Sequence, residues 1–442
     1  MLPPEDIGDT HAEYRKDLLP HLDECLAVCP VEIGYFDSKL GRFQLSSAKF
    51  IQQTLAFIVR DQAMNAAKCG YVYAERGRFS EAAFYLSMVK DVLVQTLGYE
   101  HEKTMITMLG LAAVYWGLGR LEEAIALQKR VVKARSKVLG PEHHDTLIAM
   151  DQLGRSFWLY GQYQEALQLQ EVTTTRMKAT LGDEHPDTLA ALDNLGVTLG
   201  SWHRFQESRE IHEQVLRIRE KKLGRTNPDT LTTLNNLAMA LLDLGKLSEA
   251  KGMMQEVVEQ RQLKLGKEHP WTLWAICNLA KVNIEIGYLD EAEQMLIDGI
   301  AAGKRSLSDE HLGVLMGCGQ LARVYARQGR LEEAEKLTLD VISRVEKSRG
   351  EEHPDCVYGM FKLAQLYELQ GKIENAIDTC ETALRKAGTR LTNQHPLYKK
   401  IDTYIRTLRQ SFTPKQNQGE PDPRDKTPLP HYSKNTQRTQ TW

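Results

Sequence analysis

The sequence predicts an all-α fold, a right-handed superhelical solenoid of eight 42-residue helix pairs. Three markers carry that reading, each recurring in 42-residue steps and all in one phase. Leu97-Gly98 returns as Leu139-Gly140, Leu181-Gly182, Leu223-Gly224 and Leu265-Gly266, then decays to Leu307-Ser308 and Arg349-Gly350. A second glycine recurs at Gly77, Gly119, Gly161, Gly245, Gly287, Gly329 and Gly371, with His203 in its place once. An alanine follows at Ala82, Ala124, Ala166, Ala250, Ala292, Ala334 and Ala376, with Ser208 the exception. Self-similarity at such a period is the signature of stacked supersecondary units.

The copy from Pro228 to Gly266 shows how each unit is built. A first helix over about 229–244 carries Leu231, Leu234, Leu237, Ala238, Leu241 and Leu242 at helical spacing. Gly245 follows, where a left-handed cap suits glycine. A second helix over about 247–265 places Ala250, Met253, Met254, Val257 and Val258 on one face, and the small alanine lets two helices cross closely. Leu265-Gly266 ends it with another glycine stop. The next helix begins with its own punctuation, seen in Glu184-His185-Pro186-Asp187-Thr188, Thr226-Asn227-Pro228-Asp229-Thr230 and Glu352-His353-Pro354-Asp355-Cys356. Proline suits the first helical position, which puts His or Asn at the N-cap and Asp in the first turn, where the helix dipole favours negative charge. One such pair cannot bury its apolar stripe alone; stacking the pairs makes a continuous core and a concave groove.

The composition fits this picture and excludes others. The chain has 442 residues, 42% of them hydrophobic, and a net charge of −3. Near-neutrality argues against nucleic acid and against an anionic membrane. No stretch approaches the roughly 18 apolar residues of a membrane span, and Met1-Leu2-Pro3-Pro4-Glu5-Asp6 has no signal-peptide character. The seven cysteines are odd in number and scattered, and no Asn-x-Ser/Thr sequon occurs. A reducing, cytoplasmic location with cysteines as small core residues is the expectation.

The order Leu-Gly/Ala, aromatic, Gly-Arg/Lys, Glu-Ala separates this array from other helical repeats of similar period. It is clearest in Leu111-Ala112, Tyr115 and Gly119-Arg120-Leu121-Glu122-Glu123-Ala124, and in Leu321-Ala322, Tyr325 and Gly329-Arg330-Leu331-Glu332-Glu333-Ala334. With Leu181-Gly182-Asp183-Glu184-His185-Pro186-Asp187-Thr188-Leu189 and Leu234-Asn235-Asn236-Leu237-Ala238, the chain resembles the kinesin light chain type of tetratricopeptide repeat over about residues 61–405. No heptad run of the kind that joins light to heavy chains is visible before residue 61. Leu18-Leu19-Pro20-His21-Leu22-Asp23-Glu24-Cys25-Leu26 and Gly70-Tyr71-Val72-Tyr73-Ala74-Glu75-Arg76-Gly77-Arg78-Phe79 look like the connector and first repeat of fungal proteins whose arrays follow an NB-ARC-like NTPase. The lysines of the four Gly-Lys pairs (Lys246, Lys267, Lys304, Lys372) precede Leu, Glu, Arg and Ile, so no Gly-x-x-x-x-Gly-Lys-Ser/Thr cradle for a triphosphate occurs.

The three expected segments are a helical N-terminal cap over 1–60, the solenoid over 61–411 and a disordered tail over 412–442. In the tail, Pro414, Pro421, Pro423, Pro428 and Pro430 sit among polar residues that cannot bury enough apolar area to order themselves.

His101, His143, His185, His269, His311, His353 and His395 share one repeat position, which spaces them along an edge instead of converging them on an ion. They read as caps, and Cys25 and Cys29, four apart without nearby partners, make no metal site. Glu122-Glu123 and Glu332-Glu333 read as first-turn dipole partners, and no nucleophile, base and orienter can be assembled. The expectation is no enzyme, no cofactor and no metal.

The binding reading rests on the first helices, which line the concave face of tetratricopeptide arrays. Asn194, Asn236 and Asn278 share one register, with Gln152 and Gln320 in the same phase. A carboxamide both donates and accepts, so a ladder of them can clamp an extended peptide backbone whatever its side chains. Arg155, Lys281 and Arg323 lie three residues further on the same face, and Arg327 one turn beyond, where they favour acidic partners, though Asp151, Asp193, Asp243 and Glu285 dilute the field. The expected function is a scaffold that holds partner proteins through peptide segments in this groove. The alternative is a regulatory, ligand-sensing arm related to NB-ARC/STAND switch proteins, acting in trans or as a remnant; an NTPase encoded immediately upstream would favour it.

Overall fold

The computed structural model describes residues 67–68, 70–71, 73–74, 78–307, 309, 311–388, 393 and 395–412. The expected N-terminal cap over 1–60 lies outside them, as does the expected tail over 412–442 apart from Phe412, which ends the last helix. From Phe79 on, sixteen α-helices follow one another among the described residues: α1 Phe79–Leu97, α2 Glu102–Gly117, α3 Leu121–Val138, α4 His144–Leu159, α5 Tyr163–Leu181, α6 Pro186–Ser201, α7 Phe205–Leu223 and α8 Pro228–Asp243. Then come α9 Leu247–Leu265, α10 Pro270–Ile286, α11 Leu289–Ser306, α12 Leu312–Arg327, α13 Leu331–Arg349, α14 Pro354–Leu369, α15 Ile373–Ala387 and α16 Pro396–Phe412. Even numbers are the first helices of each repeat and odd numbers the second. No strand occurs among the described residues. The chain divides into two compact units, Met1–Val257 and Val258–Trp442.

The punctuation acts as its chemistry dictates. His101, His143, His185, His269, His311 and His353 each occupy an N-cap, and Nδ1 accepts the backbone N–H two residues on at 3.1–3.2 Å. Asn227 does the same through Oδ1 at 2.9 Å. The turn between the paired helices is left-handed, as at Gly287 with φ 98° and ψ 9°. His203 adopts φ 61° there, the single non-glycine with positive φ among the described residues. The second stop differs in kind. Gly98, Gly182, Gly224 and Gly350 have φ of 81–94° with ψ of 157–171°. That region is essentially closed to side-chain-bearing residues, whereas a left-handed turn tolerates histidine at some cost. Where the glycine is missing, α11 stops at Ser306 and Leu307 turns extended, with φ −118° and ψ 160°.

The alanine marker is a packing requirement. Ala82, Ala124, Ala166, Ala250, Ala292, Ala334 and Ala376 are fully buried, and Ser208 is 2% exposed. The basic residue after the turn lies over the aromatic ring of the preceding helix: Arg120 over Tyr115 at 4.2 Å and Arg330 over Tyr325 at 4.0 Å. The same arginines pair with Glu123 and Glu333 one turn on, so the Glu of the Glu-Ala motif serves an ion pair as well as the helix dipole. A further periodic feature joins second helices to the next first helix. Buried Arg135, Arg219 and Arg261 donate to the carbonyls of Asp145, Asp229 and Trp271 at 2.7, 2.9 and 3.0 Å. In each unit, first helices of neighbouring repeats touch directly: α4 with α6 and α6 with α8 in one, α10 with α12 in the other. That contact brings residues of one register on successive first helices side by side.

Candidate interaction face

In the first unit the carboxamide register runs through Gln152, Asn194 and Asn236, each half-buried beside the buried Leu153, Leu195 and Leu237. They are neither core nor simply solvated. Asn194 Nδ2 donates to both carboxylate oxygens of Asp151, at 2.9 and 3.2 Å. Burial is the chief cause that raises the Asp151 pKa, opposed by Arg155 and the Asn194 hydrogen bond. Asn235 Nδ2 donates to Asn236 Oδ1 at 3.3 Å. Arg155 is exposed and lies over the Trp116 ring at 5.2 Å, while Trp116 Nε1 donates to Ser156 Oγ at 2.6 Å. The result is a strip of fixed carboxamides and carboxylate flanked by an exposed guanidinium on an indole.

Asp193 does not belong to that strip. It is buried, with Oδ1 2.9 Å from His212 Nδ1 and Oδ2 accepting from Arg219 Nη1 at 2.7 Å and Thr233 Oγ1 at 2.8 Å. Its charge is spent inside the α6–α7–α8 packing and does not dilute the field of the open face.

In the second unit the register continues as Asn278 and Gln320, both half-buried beside Leu279 and Leu321. Gln320 Oε1 is buried without a hydrogen-bond donor. Lys281 is half-buried, but Arg323 is 7% exposed, with Nη2 against Glu285 Oε1 and Nε lacking an acceptor. Arg327 Nη2 reaches Glu285 Oε2 at 3.3 Å. Two of the four expected cations thus share one carboxylate.

The sequence reading passed over a residue in the same register. Lys362 stands 42 positions after Gln320, and counting by the repeat instead of by residue type finds it. Its Nζ donates to Gln365 Oε1 at 3.1 Å and sits 5.3 Å from the centroid of the Tyr358 ring. Among the described residues no group of three or more His, Cys, Asp or Glu side chains could hold a metal ion. No described helix is long and apolar enough to cross a membrane.

Comparison with protein-family models matches the tetratricopeptide repeat over residues 61–135, 103–179, 229–305 and 314–387, and a second model of the same repeat over 188–229. A comparison with curated proteins found no match. Among solved structures, the kinesin light chain TPR-like repeats of Podosopora anserina, nearly identical to one another, share 31% identity. They align with 47% of this chain and 99% of that one, at a TM-score of 0.40. BtubC (BKLC) from P. vanneervenii is 21% identical over 52% of this chain and 92% of that one, with a TM-score of 0.42. A Rap protein complexed with competence and sporulation factor is 10% identical over 80% of this chain and 98% of that one, with a TM-score of 0.48.

Proposed function

Because the chain belongs to the tetratricopeptide repeat family, we propose that it is a protein-binding scaffold that holds a partner's peptide segment against the first-helix face of its units. One observation carries the reading. Successive first helices keep a half-buried carboxamide at one position, Gln152, Asn194 and Asn236 in the first unit and Asn278 and Gln320 in the second. The adjacent residue is a buried leucine each time, so the core is supplied without them. A carboxamide is suited to meet the alternating N–H and C=O groups of an extended backbone. Arg155 and Lys281 add positive charge beside the two ladders and favour partners with acidic side chains, an effect that salt weakens. The role is holding, not catalysis.

The test is a titration of a partner that co-purifies with the chain, against wild type and the double variant Asn236→Ala/Asn278→Ala. Each lost hydrogen bond costs about 0.5–1.5 kcal/mol, so the double change should weaken binding about tenfold or more while the protein stays folded. Asn194→Ala is kept apart from this test, because it also strips Asp151 of its donor. A folded double variant that binds with unchanged affinity would exclude the ladder as the working surface.

A further inference from the structure

We infer that Asp151 is a positioning residue of the first unit: it turns the Asn194 carboxamide so that Oδ1 points outward, which makes this place a reader of a backbone N–H and excludes proline from the partner residue that meets it. This rests on the peptide-holding role proposed above and adds a specificity to it. Asn194 Nδ2 donates to Asp151 Oδ2 at 2.9 Å and to Oδ1 at 3.2 Å, from α6 to a residue 43 positions earlier on α4. The Asp151 carboxylate takes hydrogen bonds from no other described residue. An ionised carboxylate only accepts, so the NH2 group must face it; turned the other way, the amide oxygen would stand against two negatively charged oxygens. The orientation therefore follows from the chemistry of the pair. It leaves Asn194 Oδ1 to the outside, where it reaches solvent and no described residue donates to it. An acceptor there can be met by a backbone N–H and not by a carbonyl. Proline has no N–H to give.

The neighbouring carboxamides lack this constraint. The residue 43 positions before Asn236 is again an aspartate, Asp193, but it is buried and held by His212, Arg219 and Thr233. Asn236 meets Asn235 instead, whose Nδ2 lies 3.3 Å from its Oδ1. Two carboxamides can exchange donor and acceptor, so that pair does not decide which group faces outward. For Gln152 the corresponding residue is Leu109, which offers neither donor nor acceptor from its side chain. Of the three carboxamides in the first unit, Asn194 alone has its polarity imposed by a carboxylate.

The experiment selects acetylated, amidated decapeptides from a degenerate bead library on the full chain and keeps one whose binding falls in Asn236→Ala, which puts it on the first unit. That peptide is resynthesised with a single N-methyl group at each residue in turn, a change that removes one N–H and keeps every carbonyl. At the residue that meets Asn194, N-methylation should weaken binding to the wild type about tenfold, and proline should do the same. Asp151→Asn keeps the shape of the side chain but no longer forces the NH2 group inward. In that variant the penalty at this one residue should shrink to about twofold while the penalties at other residues stay, and Asn194→Ala should abolish it. Lost structure would lower the affinity of methylated and unmethylated peptides alike, so the ratio between them separates positioning from folding. Penalties unchanged at every residue in Asp151→Asn would overturn the inference and leave the scaffold role standing. A peptide that depends on Asn236 yet tolerates N-methylation at every residue would do the same. Failure to obtain any decapeptide that depends on Asn236 would count against both readings.

Discussion

Asp193→Ala should be among the most damaging single changes in the first unit. The carboxylate is 5% exposed and takes hydrogen bonds from Arg219, Thr233 and the His212 ring at 2.7, 2.8 and 2.9 Å. Removing it leaves Arg219, itself 5% exposed, with only the Asp229 carbonyl and the Thr233 hydroxyl as acceptors. Breaking a buried ion pair by deleting one partner costs about 3–5 kcal/mol, because the other charge stays behind uncompensated. In a repeat array that loss falls on one helix pair and its neighbours instead of on the whole chain. Urea unfolding followed by tryptophan fluorescence, with amide hydrogen exchange along α6, α7 and α8, reads both the size and the place. Asp193→Asn keeps an acceptor and should fall in between. The triple change Asp193→Leu/His212→Leu/Arg219→Met should recover much of the loss, since an apolar filling has nothing left unpaired. A loss below about 1 kcal/mol for Asp193→Ala would show that Arg219 is not held by this pair and would refute the reasoning.

Other outcomes follow from local chemistry. His203→Gly relieves a left-handed histidine worth about 1 kcal/mol, partly offset by the freer unfolded chain, so a small rise in melting temperature is expected and a clear fall would contradict the turn. Gly252 lies mid-helix in α9 with nothing within 4 Å of an added Cβ, so Gly252→Ala should stabilise by about 0.5–1 kcal/mol in a thermal melt. Gly196→Ala should do the opposite, because the new methyl would stand 2.7 Å from a His212 ring that Asp193 fixes in place. His395 caps α16 through Nδ1, and burial lowers its pKa from 6.5 to about 4. A group lowered by folding stabilises above its unfolded pKa and loses that contribution as pH falls through the folded one. Acid should therefore loosen α16 between about pH 6.5 and pH 4, as read by hydrogen exchange, and His395→Asn should flatten that dependence because its cap does not titrate.

The fold was legible because its determinants are local and repeated. The turn glycines, the crossing alanines and the His or Asn caps each mark a backbone state that few residue types satisfy, and eight copies average out exceptions such as His203 and Ser208. The candidate face was legible only in part. A register fixes which face a side chain occupies, so Asn194, Asn236, Asn278 and Gln320 could be placed, but not what meets it there. Arg323 pairs with Glu285, 38 positions earlier, and Asp193 with His212 and Arg219, 19 and 26 positions later. Such pairs depend on how neighbouring helices are rotated, which no spacing within one helix encodes. Lys362 was hidden for another reason: it differs in type from the carboxamides whose position it shares.

The most direct test of the scaffold account places a photo-crosslinking amino acid at chosen positions and asks which ones capture a co-purified partner. The first-helix positions are Arg155 and Lys281; the second-helix controls are the exposed Glu171 of α5 and Ile297 of α11. The account predicts adducts from Arg155 and Lys281, lost in the Asn236→Ala/Asn278→Ala background, and none from the controls. Adducts from Glu171 or Ile297 with none from Arg155 and Lys281 would contradict it and move the working surface to the second helices.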